Sequence, residues 1–447
     1  MRPSAPPPLS RRHGEISGSL PDAANDPATR LKRRLIEAGV DEAFLFDQHL
    51  IQAATYQEPV AEHIGPRTRR IGGVLERTPN ILLPLLLSIL SLILLLQWRA
   101  RAKRRTTAPA PRNGEPWRLF IGCGAGNEKD LLAEYQQEPG ETVFVARDSE
   151  PDSFLHLLRP GLGPVVRQMR AYALKIPADA VAFAQTTGIP PGLAMAVFSR
   201  LGAMAGLAQA CAAQLARAPY ASARTITPNQ FAWIFSQHGL RPISFREHGW
   251  LRKGYHFYPL DEWRVYSQAE AEFVRQVGQS PNVRLIEPIR WTPRLLTRKV
   301  LFTSIFDTPS FQRDDYAQTT GAFLNWAQTR GVEVIVRPHP REDRSFWSRN
   351  FPHITLDDSD PSFLAAMERL SPLFVVSWFS TTLLESLFLG VIPITLYPQQ
   401  HMETRDYCFP HLNHVLHWPA DKLTLEQALE SPQSAQKAHA DLFAGVH

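Results

Sequence analysis

Three short runs in this 447-residue chain carry side chains suited to a phosphorylated substrate. In VEVIVRPHPRED (332–343), an apolar run of strand type ends in Arg337, His339, Arg341 and the acids Glu342 and Asp343. Arginine offers a planar fork for phosphate and histidine a donor near neutral pH. Pro338 and Pro340 stiffen the chain around His339. A solvated, proline-rich turn would use the same residues. In VVSWFSTTLLESLFLG (375–390), Ser380, Thr381 and Thr382 stand at a strand-to-helix turn, where hydroxyls and unpaired amides can face a ligand. Glu385, one turn on, could hydrogen-bond a ribose. An ordinary helix cap is the alternative, with Thr382 and Glu385 at capping-box spacing. In FREHGWLRKG (245–254), His248 follows a strand and Gly249 frees the backbone for a sharp turn. His248, or its neighbour Glu247, could act as a general base, although a single loop histidine is commonplace. DDSD (357–360) is better explained by Asp360 as a helix N-cap followed by Pro361 than by a metal–nucleotide site.

The elements that must hold these runs alternate between strand and helix. From Trp117 the order is WRLFIGC, ETVFVAR, an Ala-rich helical region across 193–218, ARTITPN, the helix QFAWIFSQHG and the strand RPISFRE. A second series starts at KVLFTSIF (299–306) and runs through a helix at 314–331, VEVIVRP, HITLDD, a helix at 361–370, LFVVSW, STTLLESLFLG and VIPITLYP. Short apolar runs separated by amphipathic helices predict parallel sheets covered on both faces. Two doubly wound α/β halves, joined by a linker around 281–298, would leave a cleft at the carboxyl ends of both sheets, where ligands bind. The loop in LFIGCGAGNEKDLL (119–132), with Gly122, Gly124 and Gly126, reads equally as a methyltransferase cofactor site, a dinucleotide site or a tight turn. A methyltransferase would use Asp148 for the ribose, but it needs only one such half and leaves 299–400 without a role.

Ahead of these halves, residues 1–30 are Pro-, Ala-, Ser- and Arg-rich and are expected to be disordered. Residues 31–80 carry helical apolar spacing and predict short amphipathic helices with a linker. ILLPLLLSILSLILLLQW (81–98) has no charged residue, and eighteen helical residues reach about 27 Å, close to a hydrocarbon core. It predicts a single membrane-spanning helix. The basic cluster Arg99, Arg101, Lys103, Arg104 and Arg105 outweighs Arg67, Arg69, Arg70 and Arg77, which puts the large domain in the cytoplasm. An in-plane or hairpin insertion, with both ends inside, stays open. A basic and Pro/Ala linker covers 99–116, and the two halves are expected at 117–290 and 291–447.

The formal net charge of +5 gathers beside the apolar segment, which points to a membrane rather than a nucleic acid as partner. Three distant cysteines (Cys123, Cys211, Cys408) offer neither a thiolate zinc site nor a disulfide framework.

Taken together, the runs resemble bacterial surface-polysaccharide glycosyltransferases of the GT-B fold: sialyltransferases and polysialyltransferases, capsule Kdo transferases and teichoic-acid polymerases. The resemblance rests on His339-Pro340, on Ser380-Thr381-Thr382 with Glu385 and Gly390, and on His248-Gly249 at the end of TITPNQFAWIFSQHGLRPISFREHG. It implies a GT-B-like, metal-independent transferase without a cofactor, which the apolar segment 81–98 would anchor in the inner membrane. The donor would be a nucleotide-sugar, CMP- or CDP-linked, and the acceptor a surface glycan or a lipid-linked glycan. His339, Pro340, Ser380, Thr381 and Thr382 would contact the donor phosphate, and His248 or Glu247 would be the base. The family's acidic pair before glycine is Glu247-His248 here, and its serine pair is Ser-Thr-Thr. An S-adenosylmethionine methyltransferase built on the glycine loop and a non-catalytic membrane scaffold are the rival expectations.

Overall fold

The computed structural model describes residues 26–447 apart from 60–63, 106–114, 123–127, 227–228, 241–242, 247–250, 253–259, 278–281, 287–296, 305–312, 340–341, 343, 358, 360–361, 398–406, 409–413 and 445–447. Several sequence-derived positions therefore lie outside the described residues, among them Gly124, Gly126, Glu247, His248, Gly249, Pro340, Arg341, Asp343, Asp360 and Pro361.

The N-terminal part is helical: α1 (Pro27–Glu37), a 3-10 turn (Glu42–Phe46), α2 (Gln48–Tyr56), α3 (Pro66–Arg77) and α4 (Leu83–Ala102). Order begins earlier than the composition suggested. Asp26 caps α1 by accepting from the Thr29 amide at 2.9 Å, so residues 26–30, expected to be disordered, are in fact a capped helix start.

The first sheet holds β1 (Trp117–Gly122), β2 (Thr142–Arg147), β3 (Tyr220–Thr225), β4 (Ile243–Arg246), β6 (Glu262–Val265) and β7 (Val283–Leu285), in the order β2-β1-β3-β4-β6-β7. The intervening two-residue strand is β5 (Leu251–Arg252). All neighbours in the sheet are parallel. β7 falls in the stretch expected to be linker; three residues are too short a run to show a period. The helices of this lobe are α5 (Glu128–Gln137), α6 (Pro151–Leu158), α7 (Leu162–Thr187), α8 (Pro191–Leu215), α9 (Gln230–Gln237) and α10 (Gln268–Val277). One continuous core takes in Leu35, Phe44, Leu50, Leu87 and Trp98 from the N-terminal helices with Phe183 and Phe198 of α7 and α8. Among the described residues two helices are long and apolar enough to cross a membrane, α4 and α8. α8 is buried along nearly its whole length, so its hydrophobicity belongs to this core. Its Gly206 lets α7 approach, because an added Cβ would stand 2.5 Å from the Met169 amide nitrogen.

The second sheet holds β8 (Thr297–Thr303), β9 (Glu333–Arg337), β10 (Thr355–Leu356), β11 (Pro372–Ser377), β12 (Ile392–Thr395) and β14 (Leu416–His417). Its order is β10-β9-β8-β11-β12-β14, again parallel throughout. The helices α11 (Arg313–Thr329), α12 (Ser345–Asn350), α13 (Phe363–Leu370), α14 (Thr382–Phe388), α15 (Lys422–Glu430) and α16 (Pro432–Ala444) complete it. The two doubly wound parallel sheets are those expected. The cap of α13 is not: the Ser362 hydroxyl accepts from the Ala365 amide at 3.2 Å. The helix starts two residues later than Asp360-Pro361 implied.

The lobes touch near the carboxyl ends of their strands. β5 pairs antiparallel with β13 (Tyr407–Cys408). Tyr266, just past β6, lies 4.9 Å from the Phe388 ring of α14. It packs on a cluster of Leu383, Leu384, Leu387, Phe388 and Val415.

One buried group sets an acid limit on stability. His439 of α16 bonds the His414 carbonyl through Nε2 at 2.9 Å, while its buried Nδ1 has no partner among the described residues. Burial, the largest influence, pushes its pKa down to about 4, against about 6.5 for an unfolded histidine. Between these values the unfolded chain binds the extra proton. The contribution of neutral His439 is therefore full above about pH 6.5 and is lost as the pH falls toward 4. His439→Gln keeps a donor for His414, and is expected to flatten this fall by up to about 3 kcal/mol, read from urea titrations at pH 4.5 and 7.

Candidate functional site

In a sheet ordered like the second one, the chain leaves its central strand in both directions between β8 and β11, and a crevice opens at that point beyond the carboxyl ends. The residues at its rim are Thr303, which ends β8, Ser304 just past it, and the turn after β11. Both hydroxyls were missed in the sequence, where they look like the polar finish of VLFTS. Repetition was the available signal, since VVS closes β11 in the same way.

Thr303 holds one motif. Its Oγ1 lies 2.7 Å from Oγ1 of Thr382, and its carbonyl accepts from the Ser377 hydroxyl at 2.8 Å. Thr382 is thereby fixed at the start of α14, its amide facing the Ser380 hydroxyl at 3.3 Å. The capping-box alternative for Thr382 and Glu385 does not form: the N-cap position is Thr381, without a side-chain cap bond. Strand-to-helix chain reversal is instead made by backbone bonds from the Leu383 amide to the Ser380 carbonyl and from the Leu384 and Glu385 amides to Thr381. Ser380, Thr381, Thr382 and Glu385 are all partly exposed, as ligand-facing residues must be.

Ser304 holds the other motif. Its hydroxyl donates to Glu342, whose carboxylate is buried at 8% exposure. Glu342 also accepts from the Trp347 indole at 3.0 Å and from the backbone amide of His339 at 3.0 Å. The Glu342 amide returns a bond to the His339 carbonyl at 2.8 Å. A buried carboxylate with several donors is a firm anchor, since each charge-assisted bond is stronger than a neutral one. The loop after β9 is thus no loose solvated turn: Glu342, not a ligand-facing acid, pins the backbone that presents the half-buried His339.

Arg337 is drawn sideways. Its Nη1 lies 3.9 Å from Asp357, whose other oxygen is 2.8 Å from Arg369. Burial opposes ionisation of Asp357, but bonds from Ser359 and the charges of Arg369 and Arg337 outweigh it and hold the carboxyl below its ordinary range. Arg337 therefore shares its charge with a fixed carboxylate at the side of the crevice.

The first lobe offers a different environment. A Cβ on Gly122 would meet the Glu128 carboxylate at 2.5 Å, and that carboxylate is buried and paired with Arg147 at 2.5 Å. A fixed negative charge stands at the root of the glycine loop, where a dinucleotide phosphate would need positive ends and amides. Asp148 bonds the Gly122 carbonyl through its own amide at 3.0 Å. Arg224 and Arg264 converge on Glu138 at 2.5 and 2.6 Å, so these arginines are neutralised internally. Burial disfavours the Glu138 charge, yet its bonds with Arg224 and Arg264 keep its carboxyl lowered. Among the described residues no group of three or more His, Cys, Asp or Glu is placed to hold a metal ion.

No protein-family model matches the chain, and no curated protein matches it. Solved structures similar to it are distant. UDP-GlcNAc 2-epimerase from Neisseria meningitidis bound to UDP-GlcNAc is 10% identical, with a TM-score of 0.42 over 72% of this chain and 94% of that one. The S. aureus MnaA–UDP structure is 8% identical, with a TM-score of 0.41 over 73% and 91%. Phytolacca americana UGT2 complexed with UDP-2fluoro-glucose and pterostilbene is 11% identical, with a TM-score of 0.39 over 74% and 94%.

Proposed function

We propose that this chain is a membrane-associated, two-lobed glycosyltransferase of GT-B type, working at the cytoplasmic face of the inner membrane. It would move a sugar from a nucleotide-activated donor, CMP- or CDP-linked, to a surface polysaccharide or glycolipid. One observation carries the reading. The two motifs of the second lobe, 40 or so residues apart in sequence, hang from the consecutive residues Thr303 and Ser304 at the switch point of a doubly wound sheet.

In this reading the donor phosphate sits over that rim. His339 and the hydroxyls and amides of Ser380, Thr381 and Thr382 take up the charge that develops as the bond from the anomeric carbon to phosphate oxygen breaks. Arg337 adds positive potential from the side, and Glu385 meets the ribose. The acceptor comes from the first lobe. Four residues, Glu247 to Trp250, connect β4 of the first sheet to β5, which pairs with β13 beyond the second sheet's β12. That connection carries His248 and Glu247, one of which would take the acceptor hydroxyl proton as the oxygen attacks the anomeric carbon.

Thermal unfolding of the full chain with CMP, CDP, UDP and S-adenosylmethionine tests this. A matching nucleotide at a hundred times its Kd stabilises by about 2.7 kcal/mol, and His339→Ala should abolish the shift. A shift with S-adenosylmethionine alone would transfer the protein to the methyltransferases. No shift with any of the four would leave a scaffold.

A further inference from the structure

Helix α4 is apolar all round, yet only one side of it is covered. Leu83, Leu87, Ser91, Leu95, Trp98 and Ala102 recur at intervals of three and four and are buried, against α6, α7 and α8. The far end is fastened by polar bonds: Arg105 to Asp152 at 2.7 Å and to Glu150 at 2.5 Å, and the ring Nδ1 of His156 to the Ala102 carbonyl at 3.0 Å. The helix is thus laid along the first lobe over its whole length.

The opposite side is an uncovered stripe of large aliphatic residues. Ile81, Leu82, Leu85, Ile89, Leu92, Ile93 and Leu96 are all 44% exposed or more. The stripe runs into exposed Arg99, Lys103 and Arg104, which pair with no carboxylate among the described residues. The preceding α3, which ends four residues before Ile81, exposes Arg67, Arg69, Arg70, Glu76 and Arg77. No acidic residue occurs in Leu83–Ala102.

We infer that α4 lies in the plane of an anionic lipid surface, its exposed stripe among the acyl chains and its cations among the headgroups. A crossing helix is ringed by lipid, but half of α4 is ringed by its own lobe, and crossing would draw the parts of α6, α7 and α8 packed along it into the bilayer with it. The exposed aliphatic stripe supplies apolar area to bury and its cationic margin supplies attraction to anionic lipid, the two terms that set the strength of in-plane membrane binding. A second copy of the chain is a poorer occupant, because the exposed cations Arg99, Lys103 and Arg104 find no acidic residue along α4 to face. The docking assumes nothing about the chemistry. Only its consequence, that the acceptor lobe rests on the bilayer where a lipid-linked glycan lies, depends on the transferase reading.

The test uses the full chain and flotation with vesicles of phosphatidylcholine alone or with 30% phosphatidylglycerol as the probe. Wild type should float with the anionic vesicles at least tenfold more than with the neutral ones, and less at high salt. Leu85→Glu/Ile89→Glu/Leu92→Glu, at exposed positions, should lose flotation while keeping its circular dichroism and any nucleotide-induced shift. Arg99→Glu/Lys103→Glu/Arg104→Glu should lose the preference for anionic lipid. In cells, Asn80→Cys and Ala100→Cys should react with an impermeant maleimide from the same side of the membrane, measured above the parent chain. Labelling from opposite sides would establish a span and overturn the inference. So would undiminished flotation of the stripe variant, or a dimer that this variant dissociates while the wild type fails to float.

Discussion

His248→Ala is expected to slow sugar transfer by about 10²- to 10⁴-fold, the usual worth of a general base, with donor binding retained. The reason is positional. The second lobe holds the phosphate in the proposed site, so a residue of the first lobe that only accepts a proton should leave the nucleotide-induced thermal shift intact. Glu247→Gln is the paired experiment. If His248 is the base, its removal abolishes the acid limb of the kcat/KM profile, whereas Glu247→Gln keeps both the limb and most of the rate. The reverse pattern assigns the base to Glu247. Near-normal turnover in both variants rejects the first-lobe site altogether, while the second-lobe site would still stand on its nucleotide binding.

Glu342→Gln is expected to reduce donor affinity by roughly 10- to 100-fold, the effect of losing one charge-assisted bond of about 1.5–3 kcal/mol. The carboxylate takes Trp347 and Ser304 on one oxygen and the His339 amide on the other. A glutamine has a single acceptor oxygen. In either orientation its NH2 therefore faces an N–H donor, the His339 amide or the Trp347 indole. The side chain is buried, so stability should also fall, by about 1–3 kcal/mol. The two effects separate in calorimetry below the melting range: a folded Glu342→Gln protein that binds nucleotide as tightly as wild type would show that Glu342 holds the lobe together without positioning His339.

Much of the architecture was written in local pattern. Apolar runs such as VLFTS, VIVRP and VVSW, each followed by an amphipathic helix, are enough to specify a parallel sheet, because only strands buried on both faces tolerate such continuous hydrophobicity. Both sheets follow from that rule, and His339 and Ser380–Thr382 could be marked as candidates because their residue types are unusual at strand ends. The carboxylate that organises them could not. Glu342 looks like any acid in the charged run PRED until the fold buries it against Trp347 and Ser304, and a hydrogen bond between residues 304 and 342 leaves no trace in spacing. The same holds for Thr303 and Thr382, joined across 79 positions.

The apolar helices divide in the same way. Sequence determines that both 83–102 and 191–215 are helical and hydrophobic, since composition and length decide that locally. Which neighbours cover them is a tertiary matter: α8 is enclosed by α3, α7 and α9, while α4 is covered on one side only. Hydropathy sums a helix over its whole circumference, but exposure is a property of each face, and faces are assigned only when the other helices arrive. Local chemistry thus set the elements and the unusual residues at their ends. Packing alone decided which polar groups meet, which carboxylate is buried, and which apolar face is left for something outside the chain.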